Sequence, residues 1–261
     1  MGLNVLIVEG NNPKDSEVFI KAAKATCSEN LKNIVLKLDP SSKVTIINPE
    51  NDDETSKVLE NMDQYNGIIF TGGAMRLNDM TDVIKKHINF ASNCFKHNNK
   101  ILAICWGLQV CSTAAGGKVA PGKNGAHIGI ATDVEINEEG KKNPIYKNKE
   151  PKFNTPAFNF DEVCELPEGA TLLASDKVNK IMGVHFKSKN SEVWGLQYHP
   201  DYEYWQMINL SNERMGKMIA KEYFKNEEAF KKHIDFIKSE EKSLDFENKT
   251  YEIQNWLDII K

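Results

Sequence analysis

Apolar segments of strand length alternate with amphipathic segments of helix length through the first 115 residues of the chain. The apolar runs are short, nearly continuous and rich in β-branched residues, which is typical of strands buried on both faces of a sheet. Strands are predicted at residues 3–8, 43–47, 67–70 and 100–104. Helices are predicted at residues 16–31, 53–62 and 79–95, and from residue 106. This alternation predicts an α/β fold with a doubly wound, mostly parallel sheet and helices on both faces.

The second half of the chain follows a different pattern. Short strands separated by turns are predicted at residues 128–136, 171–175 and 181–186. After Asp201, apolar residues recur at helical spacing in three successive segments, with polar residues between them. The chain is therefore predicted to end in about three helices.

A cysteine follows the predicted strand at residues 100–104. Cys105 ends that apolar run, and the next residues open a predicted helix. A nucleophile on a sharp turn between strand and helix faces a cleft, and the positive end of the new helix favours the reactive thiolate. The alternative is a buried free cysteine, which is the commoner fate of a single cysteine.

Two further strand ends carry residues that complement a cysteine nucleophile. The apolar run near residues 192–197 is followed by His199 and then by Asp201, and the strand at residues 67–70 is followed by Gly72 and Gly73. Cysteine, histidine and an acid are the nucleophile, the base and the group that orients the base in acyl transfer. Because ligands of doubly wound sheets bind beyond the carboxyl ends of the strands, we expect the three strand ends to meet there.

In this order, the three motifs resemble those of the class I glutamine amidotransferases. That family has a Cys-x-Gly-x-Gln turn, a His-Pro-Glu turn and a Gly-Gly loop, and the resemblance covers roughly residues 3–205. It implies an antiparallel flap in the 118–190 region and a helical C-terminal extension, residues 206–261, packed on the domain formed by residues 1–205. The matching stretches are Cys105-Trp106-Gly107-Leu108-Gln109, His199-Pro200-Asp201 and Thr71-Gly72-Gly73.

The resemblance also implies a role for each matching residue. Cys105 is expected to attack a carboxamide, with His199 as base and Asp201 as the residue that orients His199. Backbone N–H groups of Gly73 and Trp106 are expected to hold the oxyanion. The positions expected to bind the glutamate part of the substrate are Gly72, Gly107 and Gln109, although a surface amide is an equal alternative for Gln109.

Three positions depart from the family pattern. Asp201 is one methylene shorter than the usual glutamate, which leaves Glu203 open as the residue that orients His199. Asn159 stands where relatives often have histidine, so a family role for that position is in doubt. His127 stands where many relatives have an acid, and it either faces the substrate or a partner, or is a neutral surface histidine.

Composition and charge exclude several other classes of function. The formal net charge is −4, 40% of residues are hydrophobic, and no basic patch indicates nucleic-acid binding. Five cysteines without a framework spacing indicate free thiols in a reducing compartment. No apolar run has the length of a signal peptide or a membrane span, so cytoplasm and no membrane partner are the default expectations. The six histidines show no metal-ligand spacing, so no metal and no cofactor are predicted.

Together these features predict a cysteine-dependent hydrolase of γ-glutamyl amide bonds that forms a glutamyl thioester, with glutamine or a γ-glutamyl compound as its small-molecule substrate. The sequence contains no recognisable synthetase or ATP-binding domain. It therefore predicts either a free-standing enzyme, with a homodimer as one option, or a glutaminase subunit that passes ammonia to a separate synthetase. The remaining alternative is a non-catalytic relative that binds a metabolite.

Overall fold

A computed structural model describes residues 2–261. The largest feature of the fold is a sheet of nine strands, in the order β2-β1-β3-β4-β13-β12-β11-β7-β8. The first five strands in this order run parallel, and the other four continue the sheet in antiparallel pairs. The strands are β1 Asn4–Val8, β2 Lys43–Ile47, β3 Gly67–Phe70, β4 Lys100–Ile104, β5 Lys118–Pro121, β6 His127–Ile128, β7 Ala131–Ile136, β8 Lys152–Thr155, β9 Phe158–Asn159, β10 Asp161–Glu165, β11 Thr171–Ser175, β12 Gly183–Ser188 and β13 Ser191–Leu196. Two small antiparallel sheets, β5 with β10 and β6 with β9, form the flap.

Helices cover both faces of the large sheet and form the end of the chain. Where one helix was predicted at residues 16–31, the chain forms two, because Lys24 adopts a left-handed backbone conformation and Thr26 then begins a new helix with a capping box. Among residues 2–261, no helix has the length and apolar content needed to cross a membrane. The helices are α1 Pro13–Ala23, α2 Cys27–Leu38, α3 Asp52–Glu60, α4 Asp82–Cys94, α5 Trp106–Ala114, α6 Glu138–Lys142, α7 Tyr204–Ala220, α8 Glu227–Glu241 and α9 Phe246–Ile259.

The large sheet has two apolar faces, as its continuous apolar strands require. Along β1, Val5 and Ile7 pack into one core, and Leu6 and Val8 pack into the other. Helices α2 and α9 cover the first face, and α3, α4 and α5 cover the second. The predicted α/β fold with a doubly wound sheet and terminal helices is confirmed.

The register of the central strands brings the three motifs to one edge. Ile104, the last residue of β4, pairs with Leu196, the last residue of β13. Phe70, the last residue of β3, pairs with Ala103 on the other side of β4. Residues that directly follow these three strands therefore leave the sheet side by side.

The C-terminal helices contact both the core and the flap. Trp256 of α9 is fully buried in the same core as β1 and β4. Helix α8 packs on the flap, where His233 Nε2 lies 2.6 Å from the carbonyl oxygen of Ile128. The proposed division into residues 1–205 and 206–261 stays a prediction, and its boundary falls inside α7.

Replacing Trp256 with alanine is expected to lower the free energy of unfolding by about 3–5 kcal/mol, because it leaves a large cavity under the sheet. Denaturant unfolding of the purified variant would measure this loss. The control is Phe236→Ala on α8, where the ring is 41% exposed and we expect no more than about 1 kcal/mol. Equal losses for the two variants would contradict a structural role of α9 in the core.

Candidate active site

Cys105 lies at a strained turn between β4 and α5. Its backbone has φ 50° and ψ −106°, a region that costs a non-glycine residue about 1–3 kcal/mol. The turn is held on both sides: the N–H of Cys105 donates to Leu196 O at 2.6 Å, and its carbonyl accepts from the N–H of Gln109 at 3.2 Å. The side chain is 4% exposed and borders a cavity of about 340 Å³. The predicted sharp turn between strand and helix is therefore present at Cys105, and it borders a cavity.

The sulfur of Cys105 has two polar neighbours besides the predicted base. Gln197 Nε2 donates to Cys105 Sγ at 3.4 Å, and Phe158 O lies 3.7 Å from the same sulfur. Gln197 follows β13 directly, so the pairing of Ile104 with Leu196 brings its side chain to the cysteine. An amide donor of this kind stabilises negative charge on sulfur.

His199 is held by Asp201 and not by Glu203. Asp201 Oδ1 lies 3.0 Å from His199 Nδ1, and Asp201 is buried, with its own carbonyl accepting from the side-chain amide of Asn30. Glu203 instead pairs with the buried Lys249 of α9 and caps the N-terminus of α7. The shorter side chain of Asp201 therefore reaches the imidazole, and Glu203 serves the packing of the C-terminal helices.

The surroundings of His199 favour its charged form. Burial by itself lowers the pKa of the imidazole, but the nearby charges of Cys105 and Asp201, together with the hydrogen bond to Asp201, outweigh it. The net effect raises the pKa of His199 from its ordinary 6.5 to about 10. The imidazole therefore carries its second proton at neutral pH.

Gly72 lets the glycine loop approach His199. A β-carbon at position 72 would lie 2.6 Å from His199 Cε1, closer than packed carbon atoms approach. Two polar side chains hold the loop: Thr71 Oγ1 accepts from the N–H of Gly10, and Asn11 Oδ1 accepts from the N–H of Ala74, both at 2.8 Å. The loop is thus fixed by the turn that follows β1.

Gly72→Ala is expected to lower kcat/KM on a γ-glutamyl amide about 100-fold, because the added methyl group displaces His199 by a fraction of an ångström or more. Steady-state assays of glutamate release measure the change. Gly216→Ala on α7 is the control, because a β-carbon there meets no atom within 4 Å. Unchanged activity of Gly72→Ala would contradict the close contact between loop and imidazole.

Two backbone N–H groups next to Cys105 are available to a ligand. Those of Gly73 and Trp106 donate to no residue in the described range 2–261, and both residues border the cavity with Cys105. Trp106 is buried and Gly73 is half-buried, and buried N–H groups in proteins normally have partners. That these two groups hold an oxyanion at Cys105 stays a prediction.

Gln109 is buried and belongs to a chain of amide hydrogen bonds. Its Nε2 donates to the carbonyl of Asp161 at 2.9 Å and lies 3.4 Å from Gln197 Oε1. The alternative of a surface amide is therefore wrong. No described residue donates to Gln109 Oε1, so this oxygen is the part of the side chain left for a ligand in the cavity.

His127 and Asn159, two of the positions that depart from the family pattern, contact each other. They pair across β6 and β9, and His127 Nδ1 lies 2.8 Å from Asn159 Oδ1. His127 Nε2 lies 2.8 Å from Asp176 Oδ2, and the histidine is 3% exposed. His127 is therefore not at the surface, and the alternative of a surface histidine is wrong. Its two contacts hold strand β6 of the flap, and neither ring nitrogen is left for the substrate.

Four residues contribute to the site without belonging to any of the three sequence motifs. Asn11 and Asp176 lie far along the chain from Cys105, and only the folded sheet brings them to the glycine loop and the flap. Gln197 had one sequence cue, since it is the first polar side chain after an apolar strand that leads to His199. The fourth contributor is Arg214 of α7, which borders the cavity.

A cysteine at a strained strand-to-helix turn, next to a histidine held by a carboxylate, is the arrangement that cysteine-dependent acyl transfer requires. The model of the glutamine amidotransferase class-I family matches residues 21–206, and the chain belongs to this family. The predicted family is therefore confirmed.

Individual relatives and structures agree with this assignment. A γ-glutamyl-L-1-hydroxyisopropylamide hydrolase of a Pseudomonas species is 27% identical, covering 98% of this chain and 92% of that protein. A glutamine-hydrolyzing GMP synthase subunit of Methanococcus vannielii is 32% identical, covering 64% of this chain and 76% of that protein. A glutamine amidotransferase structure from Thermotoga maritima is 16% identical with a TM-score of 0.69, covering 100% of this chain and 98% of that one, and it shares the fold.

Proposed function

We propose that the protein hydrolyses γ-glutamyl amide bonds through a glutamyl thioester on Cys105. The observation that carries this proposal is the position of Cys105, at a strained turn beside His199 and on the wall of a cavity of about 340 Å³. The family and the name of the Pseudomonas relative support the same chemistry.

In the first half of the reaction, the thiolate of Cys105 attacks the γ-carbonyl carbon and forms a C–S bond. The carbonyl oxygen becomes an oxyanion, which accepts from the N–H groups of Gly73 and Trp106. When the oxyanion collapses, the C–N bond breaks and the imidazolium of His199 gives its proton to the leaving nitrogen. The amine leaves, and the glutamyl group remains on sulfur as a thioester.

In the second half, water attacks the thioester while neutral His199 accepts its proton. The C–S bond breaks, glutamate is released, and the thiolate and imidazolium are restored. Asp201 holds the imidazole in one orientation and stabilises its positive charge throughout. The backbone at Gly72 and Gly107 is proposed to contact the glutamyl group, although the space a β-carbon would take is filled by His199 at position 72 and by Phe70 of β3 at position 107. Gln109 Oε1 is proposed to accept from the ammonium group of the substrate.

The decisive experiment is an assay of glutamate release from a panel of substrates: glutamine, γ-glutamyl amino acids and γ-glutamyl alkylamides. A diazo-ketone analogue of glutamine should label Cys105, as identified by mass spectrometry of the digested protein. Release from at least one substrate with labelling of Cys105 supports the proposal. Release from none, with no labelling, would favour a non-catalytic metabolite-binding relative.

A glutaminase subunit is the second candidate, favoured by the Methanococcus relative, which is named as part of a GMP synthase. In that case glutamine alone is cleaved slowly, and a synthetase chain accelerates the reaction. Sedimentation of the purified protein distinguishes a monomer from a homodimer, which is one option for a free-standing enzyme. The helices of residues 206–261 are proposed as an extension of the amidotransferase domain in either case.

A further inference from the structure

Arginine is rare in this chain, and both copies border the cavity at Cys105. Of the 33 basic residues, 31 are lysines, and the two arginines are Arg76 and Arg214. Lysine carries a single ammonium group and is the usual cation at the surface of this protein. Arginine instead offers a rigid, planar guanidinium that binds a carboxylate through two hydrogen bonds. The position of the two arginines therefore indicates recognition of an anion.

Only one of the two arginines already has a carboxylate. Arg76 Nε and Nη2 donate to the two carboxylate oxygens of Asp161 at 3.0 and 2.5 Å. Arg214 forms no ion pair and no hydrogen bond with any side chain in residues 2–261, and its guanidinium carbon lies 5.0 Å from the ring centre of Phe158. Asp15 is the acid whose charge acts most on Arg214, but it lies beyond ion-pair distance.

Arg214 shares one cavity wall with Cys105 and another with His199. The carbonyl of Phe158, the residue over which Arg214 lies, is 3.7 Å from Cys105 Sγ. Arg214 also borders a second, smaller cleft together with His199 and Gly73. Because His199 is proposed to protonate the leaving nitrogen, the amine part of the substrate lies next to His199. Arg214 borders the cleft on that same side.

The same face of α7 carries two more cations. Lys217 and Lys221 follow Arg214 at three and seven residues, a spacing that places all three on one side of a helix, and all three border the cavity. Neither lysine forms an ion pair within residues 2–261. The part of the cavity wall that α7 forms thus carries three cationic side chains.

We infer that Arg214 binds a carboxylate on the amine side of the substrate, so that the enzyme acts on γ-glutamyl amino acids and γ-glutamyl peptides in preference to neutral γ-glutamyl amides. This inference rests on the proposed function and specifies its substrate class. Lys217 and Lys221 extend the cationic wall toward the carboxylates of longer peptides. Arg214 is a specificity-determining residue and takes no part in breaking the bond.

A matched pair of substrates tests the inference. γ-Glutamyl-alanine and γ-glutamyl-alaninamide differ only in whether the amine part ends in a carboxylate or a carboxamide. The wild-type enzyme should prefer the carboxylate by about 10- to 100-fold in kcat/KM, the range expected for a charged hydrogen-bonded pair. In Arg214→Gln this ratio should fall to about threefold or less, while Arg214→Lys should retain part of it because the charge remains without the fork.

Controls separate this role from others. Lys231→Gln removes one charge from an exposed position of α8 and should leave the ratio unchanged. If Arg214→Gln lowers both rates by the same factor, Arg214 binds the α-carboxylate of the glutamyl group, which both substrates share, and the inference is wrong. Equal wild-type rates on the two substrates would also overturn it while the proposed hydrolase stands. Cleavage of neither substrate, nor of glutamine, would reject the proposed function and the inference with it.

Discussion

Replacing Cys105 with alanine is expected to lower kcat on a γ-glutamyl amide by about 10⁴-fold or more, because the thioester can no longer form. The remaining groups, His199 and the two N–H donors, still polarise the substrate, so some catalysis over water can survive. Glutamate release measured with a high enzyme concentration gives the residual rate. The variant should also lose labelling by the diazo-ketone analogue of glutamine.

The other cysteines provide the controls for this prediction. Burial raises the pKa of the Cys94 and Cys111 thiols well above the ordinary value, which keeps them protonated and unreactive. Cys164 is the one exposed cysteine in the described part of the chain. Cys164→Ala removes a thiol by the same substitution and should retain full activity and labelling. Turnover by Cys105→Ala near the wild-type rate would place the nucleophile elsewhere.

The parts of the site that the sequence predicted are those that directly follow buried strands. A continuous apolar run predicts a strand, and the next residue then lies at the edge of the sheet whatever the rest of the chain does. Cys105, Gly72 and His199 lie one, two and three residues past the ends of β4, β3 and β13, and the register of these strands brings them to one edge. The order of apolar and polar residues along the chain therefore predicts where these three residues lie relative to the sheet.

The parts that the sequence did not predict depend on contacts between distant segments. Asp176 reaches His127 across 49 residues, and no local pattern marks an aspartate in a turn as its partner. Arg214 borders the cavity only because α7 packs along it, and helical spacing alone does not say which face meets a ligand. The break between α1 and α2 was missed for another reason: within one continuous amphipathic pattern, the left-handed backbone of Lys24 ends the first helix and the capping box at Thr26 begins the second.

The second large effect is expected from Asp201→Asn, which should lower kcat/KM about 10³- to 10⁴-fold at neutral pH. The amide keeps the size of the side chain but removes its charge and can present a donor to His199 Nδ1. The imidazole then loses its fixed orientation and the stabilisation of its positive charge. Steady-state assays on one γ-glutamyl substrate, with circular dichroism to confirm the fold, measure the loss.

The pH profile of kcat/KM tests the electrostatic part of this effect. The negative charge of Asp201 is one of the causes that raise the pKa of His199 to about 10, so the wild-type imidazolium persists at neutral pH and is lost as pH rises through that value. Removing the charge lowers the pKa of His199, and the alkaline limb of the profile should therefore move to lower pH. Each sample is returned to pH 7 and assayed again, which excludes unfolding at high pH.

Glu203→Gln decides between the two acids that follow His199. Because Glu203 pairs with Lys249 and not with His199, this variant should leave the alkaline limb in place, although the loss of an ion pair to a buried lysine should lower stability. A shift of the limb in Glu203→Gln, with none in Asp201→Asn, would assign the orienting role to Glu203. The opposite result would mean that the shorter acid in the His-Pro-Asp turn of this chain orients the base as the longer glutamate does in its relatives.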